Sequence, residues 1–286
     1  MVLILVAAVA VAYFILTYKT APESPAPVVE EGSGVVKEVR LVTWNLYNFG
    51  QSKDAQEIAF IAQQLRGYDL VAVQEVSTSL EGAKAVARLD DALDRMGAQW
   101  DYVVSEPTTG TGSERYAFLW KPSRVRLVGR GWLEASLEGP IDREPYLARF
   151  ETPDGDRRML LASFHAVPTS KEPAREVRLL DRLHGRYPDD HVLIMGDFNL
   201  SQQDAAFDGL KRAGYRPVLV DQKTSIKMKE QNGERLASEY DNIFYETAPL
   251  RAVRVGVIDF TVQFSTLREA RTISDHLPVY MDIAWQ

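Results

Sequence analysis

Four short apolar runs of this chain each finish in a strongly polar side chain. Leu41-Val42-Thr43-Trp44 is followed by Asn45, Leu70-Val71-Ala72-Val73-Gln74 by Glu75, and Leu160-Leu161-Ala162-Ser163-Phe164 by His165. Val192-Leu193-Ile194-Met195-Gly196 runs into Asp197, with Asn199 two residues on. Runs of this length, bounded in this way, read as buried strands. Three further runs show the mirror arrangement, since Glu114-Arg115 precedes Tyr116–Trp120, Asp241 precedes Asn242–Tyr245, and Asp275-His276 precedes Leu277–Ile283. If the second group runs antiparallel to the first, the ends of one and the beginnings of the other share one rim, and their polar side chains converge. Taken singly, each has a plain explanation as a turn residue, a loop cap or a hydrogen-bonded structural histidine. As a set, two histidines, at least three carboxylates and two asparagines at strand ends are hard to assign to turns.

Strand character extends over Val39–Trp44 and Met159–Phe164 and recurs at Val125–Val128. Helical periodicity is expected over 55–65, where Ala55, Ile58, Ala59, Ala62 and Leu65 share a face and Gly67 stops the run. A second helix is expected within 80–97, a third after Pro173 with a Val177, Leu180, Leu183 stripe, and a fourth through Phe207 and Leu210 to a C-cap at Gly214. Several strands follow one another without intervening helices. The expected class is therefore α/β with mixed sheets and not a strictly alternating parallel sheet. No internal repeat and no second linker interrupts 36–286, which is expected to form one domain.

Ahead of it, Met1 to Tyr18 contains Thr17 as its only polar residue, long enough for a membrane-spanning helix or an export signal. Residues 19–35, with Pro22, Pro25, Pro27, several Glu and Gly-Ser-Gly at 32–34, read as an extended linker. No Lys or Arg precedes Val2 and no Ala-x-Ala site follows Leu16, which favours an uncleaved anchor. Lys19 is the nearest flanking charge and, alone, would place the C-terminal side in the cytoplasm.

The absence of cysteine excludes disulfides, thiolate nucleophiles, Cys-ligated zinc and iron–sulfur clusters. A net charge of -7 gives no whole-surface attraction to polyanions, so any nucleic-acid contact must be local. Lys171, Arg175, Arg178, Arg182 and Arg186 recur at helical spacing and could supply one, or be an ordinary solvated face.

The strand-end inventory suits hydrolysis of a phosphate ester. Carboxylate and Asn oxygens are hard ligands for Mg²⁺ or Mn²⁺, and Asn amide and Arg donors neutralise charge on a phosphoryl centre. A histidine held by a carboxylate is a tuned proton-transfer group, and two such couples permit separate acid and base roles. No Gly-x-Ser-x-Gly elbow, Walker-type loop or His-Glu-x-x-His occurs.

In order, Thr43-Trp44-Asn45, Val73-Gln74-Glu75-Val76, Gly196-Asp197-Phe198-Asn199, Tyr240-Asp241-Asn242 and Ser274-Asp275-His276-Leu277-Pro278 resemble the endonuclease/exonuclease/phosphatase superfamily. Tyr102-Val103-Val104-Ser105-Glu106-Pro107, Glu114-Arg115-Tyr116-Ala117-Phe118-Leu119, Arg143-Glu144-Pro145 and Phe164-His165-Ala166-Val167-Pro168 are similar to its deoxyribonuclease I branch. The resemblance covers roughly 39–284. It implies a four-layer α/β/β/α sandwich, here preceded by the N-terminal hydrophobic helix, with the active site on one rim of the paired sheets. By motif, Glu75 would hold the catalytic cation with Asn45 close by, His165 would pair with Glu114 and His276 with Asp241, and the two imidazoles would serve as acid and base. Asp197, Asn199 and Asp275 would bind the phosphate or a metal, and Arg115 and Arg143 would contact DNA phosphates. Ca²⁺ is expected, if anywhere, as a structural ion. The branch's disulfides are missing, so the loops around 131–142 and 201–238 must be held by packing or ions. Its minor-groove arginine, two places after the metal Glu, is here Ser77.

The function this implies is divalent-cation-dependent, sequence-tolerant DNA endonuclease activity. The alternative is a lipid head-group phosphodiesterase or phosphatase, of sphingomyelinase or inositol phosphatase type, which a membrane anchor would suit. Because a nonspecific nuclease would damage its own genome, the domain is expected outside the cytoplasm, anchored or released, as a monomer without a protein partner.

Overall fold

The computed structural model describes residues 36–50 and 53–286. The apolar segment and linker expected at 1–18 and 19–35 lie outside the described residues. In chain order the first half supplies β1 (Glu38–Phe49), helix α1 (Ala55–Leu65), β2 (Leu70–Val76), α2 (Leu80–Asp94), β3 (Asp101–Val104), β4 (Arg115–Trp120), β5 (Arg126–Leu133), β6 (Tyr146–Glu151) and β7 (Arg158–His165). The second supplies short helices α3 (Ala174–Val177) and α4 (Arg182–Arg186), β8 (Val192–Asp197), α5 (Asp208–Arg212), β9 (Tyr215–Pro217), the β10–β11 hairpin (Ile226–Gln231, Glu234–Leu236), β12 (Asp241–Glu246), β13 (Leu250–Val257), α6 (Leu267–Ile273) and β14 (Val279–Trp285).

Two six-stranded sheets result, ordered β13-β14-β1-β2-β4-β3 and β5-β6-β7-β8-β12-β9. Each is mixed, with its parallel pair at the centre, β1–β2 in one and β7–β8 in the other. A parallel pair needs a crossover, which α1 supplies in the first sheet and the α3–α4 segment in the second. The strands that begin with polar residues do run against those that end with them: β4 pairs antiparallel with β2, β12 with β8, and β14 with β1.

Side-chain alternation sorts the apolar residues into three layers of contact. Leu41, Ala72, Phe118, Phe150, Leu161, Met195 and Met281 pack between the sheets. The opposite face of the first sheet, through Trp44, Val71 and Val73, meets Ile61 and Leu65 of α1, Leu89 of α2 and Ala270 of α6. Leu160, Ala162 and Ile194 of the second sheet meet Val177, Leu180, Leu183 and Leu210. The order is helix, sheet, sheet, helix, an α/β sandwich. A capping box fixes the start of α1, because Asp54 accepts from the Gln56 and Glu57 amides while Glu57 reaches back to the Asp54 amide.

The loop at 131–142 is held by polar ties. Buried Glu134 accepts from the Ser136 amide (3.1 Å) and from Tyr187 Oη, with Arg186 Nε 3.0 Å away. Glu176, also buried, accepts from the Asp142 amide (2.9 Å) and the Val167 amide (2.9 Å), so one carboxylate pins two loops. In the 201–238 region, Asp204 caps a short helical turn and Ser201 Oγ donates to Glu239 (2.8 Å). Lys171, Arg175, Arg178, Arg182 and Arg186 face solvent on the outer helical layer.

Candidate active site

The inward-facing series of each central strand runs on to the rim and changes character as it arrives. On β1 it passes Val39, Leu41, Thr43 and Asn45, on β7 Met159, Leu161, Ser163 and His165, and on β8 Leu193, Met195 and Asp197. His165 and Asp241 are both register partners of Asp197, from the strands on either side of β8. Two sheets stacked face to face thus deliver their polar ends into one row.

Backbone irregularities aim these groups. Glu75 and Asn199 have left-handed φ values of 61° and 48°, and the pairing of β2 with β4 slips between Val73 and Val76. A bulge of this kind redirects a side chain out of the pleat. Gly196 has φ 139°, and a Cβ there would lie 2.0 Å from the Phe164 carbonyl oxygen. Gly196→Ala is therefore expected to destabilise the protein by at least about 1–3 kcal/mol, measured by chemical denaturation, and to displace Asp197.

Both imidazole–carboxylate couples form. His165 Nδ1 lies 2.9 Å from Glu114 Oε2, and His276 Nδ1 lies 2.8 Å from Asp241 Oδ2. The far nitrogens of both rings face the same atom, Asp197 Oδ2, at 3.4 Å from His165 and 3.6 Å from His276. Asn45 Nδ2 donates to Asp197 Oδ2 (3.2 Å) and to Glu75 Oε1 (3.0 Å), joining the two sheets' contributions. The Asn199 amide donates to Asp197 Oδ1 at 2.9 Å. Asp275 Oδ1 is 4.0 Å from His276 Nε2, while its other oxygen accepts from Arg271 Nη2 at 3.1 Å.

Burial by itself lowers an imidazole pKa and raises a carboxyl one, and here opposite charge decides the outcome. For His276, Asp241 and Asp197 overcome burial and hold the ring's pKa well above 6.5. For His165, burial and Arg143 oppose protonation, but Glu114 and Asp197 raise its pKa nonetheless. Burial pushes Asp197 up, yet the two histidines and the bonds from Asn199 and Asn45 bring it below 3.8. Asp241 ends above 3.8, through burial and the neighbouring Asp197 charge, in spite of His276.

A cleft of about 380 Å³ opens beside this row, with Asn48, Glu75, Ser77, Thr111, Glu114 and Arg143 in its walls. The residues present fit a divalent cation. Glu75 offers a half-buried carboxylate, Asn45 an amide oxygen, and Asp275 Oδ1 is buried with no hydrogen-bond partner among the described residues. A second donor group, Asp197, Asp241 and His276, places one atom of each within 4.8 Å of the others.

The two arginines differ. Arg143 is buried and donates to Glu114 Oε2 (3.3 Å), to the His165 carbonyl (3.0 Å) and to the Ala166 carbonyl, so it braces the Glu114–His165 couple while lining the cleft. Arg115 donates to the Ser105 carbonyl (2.7 Å) and lies 3.7 Å from Glu106 Oε2. Asn199 Nδ2 donates to the Ala166 carbonyl at 3.1 Å. Sequence reasoning missed Thr224, whose hydroxyl donates to Asp241 Oδ2 at 2.7 Å, and Ser274, which donates to the Asn45 carbonyl (2.6 Å) and accepts the His276 amide (3.0 Å). Ser274 stands beside Asp275-His276 and that adjacency was its signal; Thr224 lies in a segment without pattern.

A sequence profile of the Endonuclease/Exonuclease/phosphatase family matches residues 42–276. Among known proteins, a deoxyribonuclease of Thioalkalivibrio sp. (strain K90mix) is 30% identical over 273 residues, covering 87% of this chain and 72% of that protein. Deoxyribonuclease-1 of Canis lupus familiaris is 28% identical over 274 residues, covering 84% and 90% respectively. Among solved structures, an endonuclease/exonuclease/phosphatase family protein from Bacteroides thetaiotaomicron shares the fold with a TM-score of 0.64 at 17% identity, covering 87% of this chain and 98% of that one.

Proposed function

Because the chain belongs to the endonuclease/exonuclease/phosphatase family, we propose that its rim site hydrolyses DNA phosphodiester bonds with little sequence preference, by acid–base catalysis of in-line water attack. The deoxyribonuclease relatives support a deoxyribonuclease I-like nuclease, a hydrolase of phosphodiester bonds. The observation that carries the finer reading is the convergence of two imidazole–carboxylate couples on Asp197 Oδ2.

His276 holds its proton more firmly, facing Asp241, Asp197 and Asp275, and suits the acid that protonates the leaving oxygen. His165, with Arg143 opposing its charge, releases a proton more readily and suits the base that takes one from the attacking water. Glu114 and Asp241 fix the two tautomers through Nδ1, leaving both Nε2 atoms toward the substrate. Asp197 keeps the rings in register, Asn199 supplies an amide donor for a phosphoryl oxygen, and Asn45, both of whose amide hydrogens go to Asp197 and Glu75, holds those two carboxylates in place. Glu75, Asn45 and Asp275 would hold Mg²⁺ or Mn²⁺, which when bound neutralises charge on the phosphoryl group. Arg115 and Arg143 contribute positive charge beside the strand, and contacts confined to phosphates give sequence-tolerant binding.

Incubated with the purified protein and Mg²⁺ or Mn²⁺, plasmid DNA is expected to be nicked, and EDTA to abolish the nicking. The apolar segment at Met1–Tyr18 favours one competing reading, a lipid head-group phosphodiesterase, so a sphingomyelin and inositol-phosphate assay runs beside it. Cleavage of the lipids with intact DNA would reverse the substrate assignment. The proposed placement is outside the cytoplasm, monomeric and tethered by residues 1–18. Protease added outside the cytoplasmic membrane should digest the domain, and protection would overturn that placement.

A further inference from the structure

One step beneath the row of His165, Asp197 and Asn45, the space between the sheets should hold apolar side chains, as it does one step deeper with Leu41, Ala72 and Leu161. It holds Thr43 and Ser163 instead, with the side chain of Gln74 reaching down between them from the level of Asn45; Thr43, Ser163 and Gln74 are 1%, 0% and 0% exposed. Gln74 Nε2 on β2 donates across the gap to Ser163 Oγ on β7 at 2.8 Å, and to Thr43 Oγ1 on β1 at 3.0 Å. The Thr43 hydroxyl returns a bond to Gln74 Oε1 at 3.3 Å.

Each end of this bridge stands next to working groups. Gln74 is the register partner of Asn45, and Glu75 follows it directly, at the left-handed bulge. Ser163 lies two residues before His165 on the same face of β7. The bridge therefore ties the strand pair carrying Asn45 and Glu75 to the strand carrying His165.

Apolar packing between sheets is non-directional and tolerates small slides, whereas a hydrogen bond fixes distance and angle. A buried polar network adds little net stability over a well-packed apolar one, so stability gives a weak reason for it. Misplacing catalytic groups by about 1 Å can slow a reaction about 10²-fold. We propose that Gln74 is a positioning residue, which through Ser163 and Thr43 sets the separation between the cation-side and imidazole-side halves of the site. The inference rests on the hydrolase reading for its kinetic consequence and on geometry for its structural one.

The full chain is compared with Gln74→Met, Ser163→Ala and the double variant. Expected for Gln74→Met is a kcat at least about 10-fold lower with KM within about 2-fold. Its denaturation midpoint should be somewhat lower because the buried Ser163 and Thr43 hydroxyls lose their partner, a loss of stability that the double variant partly recovers without recovering kcat. Ser163→Ala should act in the same direction, and the double variant should be no worse than the poorer single one, as for two ends of one bridge. Unchanged kcat in folded variants, or single effects that multiply, would overturn the proposal, as would rate losses that merely track stability. Should Gln74→Met not fold, Ser163→Ala carries the same comparison. Crystal structures give the second readout: the Asn45 Nδ2 to Asp197 Oδ2 separation, 3.2 Å in the parent, should lengthen in Gln74→Met, and an unchanged distance would sink the idea. If the parent itself leaves DNA intact, the nuclease reading fails, while the crystallographic comparison still judges this one.

Discussion

Replacing either imidazole with alanine is expected to lower kcat for DNA cleavage by about 10²–10⁴-fold, with KM changing little, because acid–base groups act in the transition state and not in binding. His165→Ala and His276→Ala should not be additive. Both rings meet at Asp197 Oδ2, 3.4 and 3.6 Å away, and once one half of the proton transfer is gone the other has less to complete. Steady-state kinetics on a short duplex give the magnitudes, and a substrate with an activated leaving group separates the roles. Such a leaving group needs no protonation, so it should restore much of the rate to the variant lacking the acid, His276→Ala, and little to His165→Ala. The pH dependence follows from the same pair. The base must be neutral, so the rate should rise with pH through the His165 pKa, raised above 6.5. It should fall at higher pH, where His276, raised further, loses its proton. Full activity in both alanine variants would remove the mechanism.

Much of this site was legible because the central strands are buried on both faces. β1, β2, β7 and β8 read as continuous apolar runs, and the polar residue that breaks each run stands at the rim. Elements at the sheet edges were not legible in that way. β13 lies at an edge with Arg251 and Arg254 exposed, so its mixture of charge and Val shows no continuous apolar run even though Pro249 marks its start. β3, at the other edge, has only four half-exposed or exposed residues. Helix α6 was missed although Arg271 within it holds Asp275, because its seven residues include Thr272 and Ile273, poor helix formers, and its start depends on the Thr266–Glu269 capping box.

The polar supports escaped for a different reason. Gln74 and Ser163 sit inside runs whose neighbours are apolar, and a hydrophobicity pattern treats one polar residue in such a run as noise. Only a partner across the gap gives it meaning, and sequence separations of 89 residues for Gln74–Ser163 and 31 for Gln74–Thr43 hide that partner. Arg143 shows the converse. A basic residue beside the site reads as a phosphate contact, but the fold has buried it against Glu114 and two carbonyls, so much of its hydrogen-bonding capacity is committed before substrate arrives.

Asp197→Asn should affect rate and stability together, since this side chain is 1% exposed and carries the charge that both rings face. Asparagine has the right size, but its NH₂ must stand either at the Oδ1 position, against the Asn199 backbone N–H, or at the Oδ2 position, against the Asn45 amide donor and the two imidazoles, and either way one donor is left facing another. The expected loss in kcat is about 10²–10⁴-fold, and both limbs of the rate profile should move to lower pH as the negative charge raising the histidines disappears. The stability sign can be worked through. A carboxyl held below 3.8 in the folded state stabilises it above that pH and stops doing so as pH falls through the folded value. Histidines held above 6.5 contribute fully below that pH and lose the contribution as pH rises through their folded values. The two overlap between about 3.8 and somewhat above 6.5, and there Asp197→Asn should be less stable by up to about 3–5 kcal/mol, the range for breaking a buried ion pair. Toward either extreme the parent loses its advantage and the two denaturation curves should approach each other. A difference that stays constant from pH 3 to pH 9 would mean that Asp197 contributes packing alone, and that the charge between the two rings is not what holds them.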